Sequence, residues 1–310
     1  MSGPVLRAPV LRIARARWFH ALATGRLGWR VASRFVAGEH LDDAIRVAGE
    51  LDRRKVATIL DHLGENVTAP EHAAAAVRAY IRALERIGAE RSLDLCISVK
   101  LTQLGLDFSN ELCVANLEQV LAAARDAGAI VMIDMESSVY VDRTLQVFQE
   151  LRNRHDRVGL AIQAYLRRAP HDVDRLPEGS IIRLVKGAYL EPPEVAFDDR
   201  REVDAAFAHL TATLLTRGHT VHVATHDPKL LTGTTAFVER RAISWARVEF
   251  QMLYGVRRDL QGRLANDGYP VRVYVPYGTE WYPYLTRRLA ERPANMWFFV
   301  SQFLRFGGGR

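Results

Sequence analysis

Arg183 lies in the apolar run Ile181-Ile-Arg-Leu-Val185, followed at once by Lys186-Gly187-Ala188-Tyr189. A cation inside such a run points into an interior, where burial without a partner is costly. It calls for a carboxylate, a hydrogen-bonding group or a bound ligand. Other short apolar runs also end in hydrogen-bonding groups: Ser98 and Lys100, Asp134 and Glu136, Gln163, Thr225 with His226 and Asp227, Glu249 and Gln251, Tyr274 and Tyr277. Any one of these could be a strand end meeting solvent. As a set they fit a site assembled from strand tips, as in an α/β barrel.

A second constellation sits near the C-terminus, in Tyr284-Leu-Thr-Arg287-Arg288-Leu-Ala-Glu291. On a helix, Tyr284 shares a face with Arg287 and Arg288, and Glu291 is one turn on. Arginine binds carboxylates through two parallel hydrogen bonds, and an aromatic ring covers an apolar body. This suits a small carboxylate with an apolar body. A solvated helix face with an Arg–Glu pair is the alternative for this stretch taken alone.

Eight β-like runs carry these groups: 56–61, 93–100, 129–136, 158–163, 181–186, 220–225, 247–251 and 271–275. Several are almost continuously apolar, as parallel strands covered on both faces are. Helical stretches lie between them, at 73–87, 117–127 and 211–217 among others, the last two followed by Gly128 and Gly218. Glycine there is a helix stop. Eight strand–helix units predict a closed (β/α)8 TIM barrel, an α/β fold. An open doubly wound sheet is the alternative, but no GxGxxG fingerprint follows the first strand. Residues 1–50 read as an N-terminal helical segment packed on the barrel, 51–304 as the barrel domain, and 305–310 as a flexible tail.

The 310 residues are 48% hydrophobic and 25% charged, with a net charge of +6. That is the profile of a globular chain. The two cysteines, Cys96 and Cys113, have no metal or disulfide spacing, so no metal is expected. No apolar run reaches the ~18 residues of a membrane span, and no secretory signal is evident. The expected location is cytoplasmic. The arginine-rich segment 6–34 carries Trp18, Phe19 and Trp29; it reads either as helices packed on the barrel or as an interfacial helix at the inner face of the cell membrane. A basic nucleic-acid-binding protein has only the net charge in its favour. A Schiff-base lyase or aldolase barrel would use Lys100 or Lys186.

The string Arg183-Leu-Val-Lys-Gly-Ala-Tyr189 resembles the fifth-strand motif of proline dehydrogenases. The run Tyr284 to Glu291 with Asn295, Ile133-Asp-Met-Glu136, Ala224-Thr-His-Asp227 and Glu249-Phe-Gln-Met-Leu-Tyr-Gly255 match in order, and the likeness spans roughly residues 35–300. It resembles the monofunctional bacterial form. The resemblance implies FAD bound at the C-terminal strand ends and oxidation of L-proline to 1-pyrroline-5-carboxylate. It also implies electron transfer to a membrane quinone. No nucleic-acid partner is expected, and self-association is left open.

By position, Arg183 and Asp134 resemble the catalytic groups, Arg183 against flavin N5. Met135, Gln163, Val185, Lys186, Gly187, Ala188, Thr225, His226 and Glu291 match cofactor positions. Lys100, Arg287 and Arg288 match the cations around the proline carboxylate, and Tyr189, Leu253, Tyr274 and Tyr284 the walls around the ring. Glu65 resembles a gate carboxylate that pairs with the first of the helix arginines. Tyr274 against the ring favours proline over 4-hydroxyproline. One departure is Leu190, where some members carry Trp.

Overall fold

The computed structural model describes Trp29 and residues 32–284, and within them eight parallel strands close into a barrel in sequence order. The strands are β1 Ala57–His62, β2 Leu95–Val99, β3 Val131–Ile133, β4 Val158–Gln163, β5 Ile181–Val185, β6 Thr220–Ala224, β7 Val248–Leu253 and β8 Val271–Tyr277. Closure comes from β8 pairing with β1 over Ala57↔Arg272 to His62↔Tyr277. The α-helices among the described residues are α1 Leu41–Asp52, α2 Pro70–Ala89, α3 Asn110–Ala127, α4 Val141–Arg152, α5 Ala169–Asp174, α6 Arg200–Thr216, α7 Pro228–Arg240 and α8 Arg258–Asn266.

The local chemistry explains these elements. Every residue of β2 (LCISV) and β4 (VGLAIQ) is buried, as strands with helices outside and side chains inside must be. Ser109 caps α3 by accepting from the Leu112 N–H, and Gly128 ends it at φ 69°. Asp227 caps α7, with Pro228 in the first turn. An N-cap acceptor and an αL glycine satisfy the backbone groups orphaned at helix ends.

The main core lies between the outer strand faces and the helices. A smaller apolar plug inside the barrel joins Ile59, Cys96 and Met132 to Ile130, Ile181 and Tyr274. Gly159 makes room for it, since a Cβ there would stand 2.4 Å from the Met132 sulfur. A third cluster joins Ala32, Val36, Leu63, Trp281 and Tyr284, so the chain before α1 packs against the chain after β8.

All eight expected strands are present, β4 with the expected bounds and the others with shifted ends. β3 is shorter than expected because Asp134 and Glu136 lie beyond the ladder, where their carboxylates bind side chains and loop backbone. β8 runs on to Tyr277 because β1 remains available as a partner to that point. No helix among the described residues is long and apolar enough to cross a membrane.

Candidate active site

The tips of β1, β2, β3, β5, β7 and β8 converge on Asp134. Its Oδ1 accepts from Ser98 Oγ at 2.7 Å and from Arg183 Nη1 at 2.5 Å. Its Oδ2 accepts from the Tyr274 hydroxyl at 2.8 Å, with Lys100 Nζ 3.4 Å away. Lys100 in turn donates to Asp61 Oδ1 at 2.7 Å. Arg183 also donates through Nη1 to Ser98 at 3.1 Å and through Nε to Gln251 Oε1 at 2.8 Å. Its guanidinium carbon lies 5.3 Å from the centre of the Tyr274 ring.

Burial sets the proton affinities here, and the charges around each group correct it. Burial would push the Asp134 carboxyl up, but Lys100 and Arg183, helped by the Ser98 and Tyr274 hydrogen bonds, hold it below the usual range. Burial would pull the Lys100 ammonium down, yet Asp61 beside it leaves it well above its ordinary value. Burial and the Asp134 charge drive the Tyr274 phenol up, so it stays an O–H donor. At neutral pH the cluster is therefore an ionised carboxylate held by two cations and two hydroxyls. A charged, ion-paired lysine is no nucleophile. Lys186 is likewise ion-paired, to Asp204 and to Asp227 at 3.3 Å. The Schiff-base expectation therefore loses both of its lysines.

The other expected positions divide into two arcs of the mouth. Met135, Gln163, Val185, Lys186, Gly187, Ala188, Thr225 and His226 occupy the ends of β3 to β6. Gln163 donates to the Glu136 carbonyl at 2.9 Å, and Thr225 Oγ1 accepts from the Asp227 N–H at 3.2 Å. His226 Nε2 accepts from the Leu253 N–H at 2.9 Å, which puts the imidazole proton on Nδ1. Lys100 follows β2 directly and Leu253 and Tyr274 lie on β7 and β8, with Tyr284 buried just beyond. Tyr189 follows β5, its carbonyl accepting from the Tyr165 hydroxyl at 3.3 Å. Glu65 is half-buried in the loop after β1. Leu190 is 53% exposed. Arg287, Arg288 and Glu291 lie outside the described residues.

Four participants were not given roles from sequence. Asp61, which holds Lys100, showed in the sequence only as the last residue of the run 56–61. Ser98 and Gln251 were visible only as polar strand positions. Arg272, inside the apolar run Val271 to Val275, carries the same signature as Arg183 and could have been found by it.

Two buried polar atoms in this cluster, Arg183 Nη2 and Asp61 Oδ2, have no hydrogen-bond partner among the described residues. A buried unsatisfied group costs about 1–3 kcal/mol. Such atoms mark where a ligand would complete the network.

The family profile described as proline dehydrogenase matches residues 44–301. Proline dehydrogenase 1 of Bacillus subtilis (strain 168) is 39% identical over 281 residues, covering 90% of this chain and 92% of that protein. Proline dehydrogenase of Deinococcus radiodurans is 37% identical over 311 residues, covering 98% and 100%. Among solved structures, proline utilization A from Bdellovibrio bacteriovorus, inactivated by N-propargylglycine, superposes with a TM-score of 0.78 at 27% identity. That match covers 83% of this chain but 32% of the larger one, so the chain spans about a third of it.

Proposed function

This chain belongs to the proline dehydrogenase family, and on that premise we propose that it binds FAD across its barrel mouth and oxidises L-proline to 1-pyrroline-5-carboxylate. The observation that carries this reading is Arg183: a buried guanidinium with Nε and Nη1 committed to the protein and Nη2 without a partner among the described residues. The donor set fits a flavin. A fixed cation suits the electron-rich edge of a reduced isoalloxazine. The arc from β3 to β6 offers Gln163, Lys186, Thr225 and backbone groups around Gly187 for the rest of the cofactor. FAD, when bound, supplies the acceptor for the hydride leaving proline C5.

The protein's own residues position and polarise. Lys100, kept charged by Asp61, holds the proline carboxylate together with Arg287 and Arg288. Tyr189, Leu253, Tyr274 and Tyr284 exclude water and bound the ring. Placing the reacting carbon this way is a large part of the rate enhancement. Asp134 is saturated with donors and held ionised. It therefore locks Arg183, Lys100 and Tyr274 in place, and the proton of the ring nitrogen is lost to bulk water once the product leaves the site. Glu65 gates the mouth with Arg287.

We assign residues 51–304 to the catalytic barrel and 1–50 to a helical segment packed on it. Electrons leave to a membrane quinone. In support, the large hydrophobic side chains exposed among the described residues, Phe108, Val139 and Leu190, all sit in the connections that follow the C-terminal ends of strands, Val139 within a 3-10 turn. Flotation with anionic vesicles tests the contact: loss of binding on removing residues 1–28 supports an N-terminal anchor, and equal binding removes it. The decisive experiment is an absorbance spectrum of the pure protein before and after anaerobic L-proline. Bleaching of a yellow chromophore is expected. A colourless protein, or a flavin that proline leaves oxidised, would reject the assignment.

A further inference from the structure

We propose that Glu249 and Gln251 are positioning residues for Arg183: Glu249, clamped by Arg272, fixes the Gln251 amide in the one orientation that presents its oxygen to the guanidinium. The inference rests on the role given to Arg183 above.

The barrel floor carries an unusual column. Layers inside such barrels are normally filled with branched apolar side chains. Below the cluster, however, stand His222, Glu249, Gln251 and Arg272, each at least half-buried. Arg272 Nε donates to both oxygens of Glu249, at 2.9 and 3.0 Å. Its other nitrogens donate to the Thr58 carbonyl at 3.0 Å and to the Asp94 carboxylate at 3.0 and 3.1 Å. The far end of the column, Asp94, is 68% exposed at the opposite face of the barrel from the mouth. Burying charges costs desolvation energy even when they are paired. An apolar filling would close the barrel floor without that cost, so the ionic column calls for a more specific role.

The amide supplies it. Gln251 lies between a carboxylate, which only accepts, and a guanidinium, which only donates. Its Nε2 donates to Glu249 Oε1 at 2.7 Å, and its Oε1 accepts from Arg183 Nε at 2.8 Å. The second Nε2 proton faces His222 Nδ1 at 3.0 Å. Burial pulls the His222 imidazole down to about 4, so the ring is neutral and can accept. A flipped amide would set donor against donor at Arg183 and acceptor against acceptor at Glu249. Arg183 is thus held from below by Gln251 and from the side by Asp134 and Ser98, which leaves Nη2 for the ligand.

The test uses the FAD-loaded full chain with Glu249→Gln, Gln251→Met and the double variant. Each single change should lower the rate of flavin reduction by L-proline about tenfold, the scale of one misplaced charge-assisted hydrogen bond. Proline KM should stay within about twofold, because the carboxylate-binding cations are untouched. The double variant should be no slower than the worse single, because Glu249 acts through Gln251. The flavin midpoint potential separates positioning from bulk charge. Deleting a nearby negative charge alone would raise it, whereas a loosened Arg183 lowers it, and a lower value is expected in both single variants. A raised or wild-type potential, or additive losses in the double variant, would overturn the proposal. Should Glu249→Gln not fold with Arg272 unbalanced, Gln251→Met, which removes no charge, decides on rate and potential. Arg183→Ala keeps the two readings apart. If it slows reduction while Glu249→Gln and Gln251→Met do not, only this inference falls; if it leaves reduction at the wild-type rate, the assigned role of Arg183 falls with it.

Discussion

Lys100 stands between two carboxylates, 2.7 Å from Asp61 and 3.4 Å from Asp134, and its side chain is 9% exposed. Each member of the triad is tolerable only with the others present. Lys100→Met should cost about 3–5 kcal/mol, because it leaves Asp61 with a buried, uncompensated charge. Urea unfolding would show it. Adding Asp61→Asn should restore much of that stability without restoring proline affinity. Recovery of both would mean that Lys100 serves the fold alone. For Arg288→Lys, proline KM should rise at least tenfold with FAD retained, since an ammonium cannot reproduce a planar two-point contact. An unchanged KM would contradict that assignment.

At the scale of the elements, the strands bring the polar tips together and the turns after them set where the chain goes next. Gly187 follows β5 at φ 125°, and a Cβ there would stand 2.2 Å from the Tyr165 ring. Gly128 ends α3 at φ 69° with nothing within 4 Å of an added Cβ. The pair separates backbone strain from crowding. Gly128→Ala should cost about 1 kcal/mol, the conformational term alone. Gly187→Ala should cost at least about 2 kcal/mol, because a clash with Tyr165 adds to the strain, and it should also lower the FAD content of the purified protein. Melting temperatures and the ratio of visible to ultraviolet absorbance report both. Equal small effects at the two sites would mean that the chain after β5 can move aside.

For the whole molecule, buried titratable groups make stability depend on pH, and they pull in opposite directions. Glu136 sits under the loop after β2, accepting from the Thr102 N–H at 3.1 Å and the Thr102 hydroxyl at 2.5 Å. Burial outweighs these bonds and pushes its carboxyl up to about 7. An unfolded chain releases that proton near pH ~4.3. Between the two values the native state holds the extra proton, so this contribution is complete below about 4.3 and lost as pH rises through the folded value. His222 acts in reverse. Its folded value of about 4 lies below the unfolded one, so its contribution is present above ~6.5 and lost as pH falls. The difference between variants isolates Glu136. Relative to the wild type, Glu136→Gln should gain on the order of 2 kcal/mol between pH 5 and pH 7.5. Parallel stability curves over that range would show that Glu136 is already ionised in the native state.

The alternation of apolar runs and capped helices fixed the barrel from the sequence, because a parallel strand buried on both faces and a glycine-stopped helix leave local signatures. Arg183 within Ile181 to Val185 announced an interior cation by the same logic. What that cation touches was not legible. Lys100 meets Asp61 across 39 residues, Arg183 meets Gln251 across 68, and Arg272 meets Asp94 across 178. Periodicity says which face a side chain takes. Only closure of β8 onto β1 decides which charges share the space inside, and in so narrow a barrel that choice determines which groups remain charged and which nitrogen is left for a ligand.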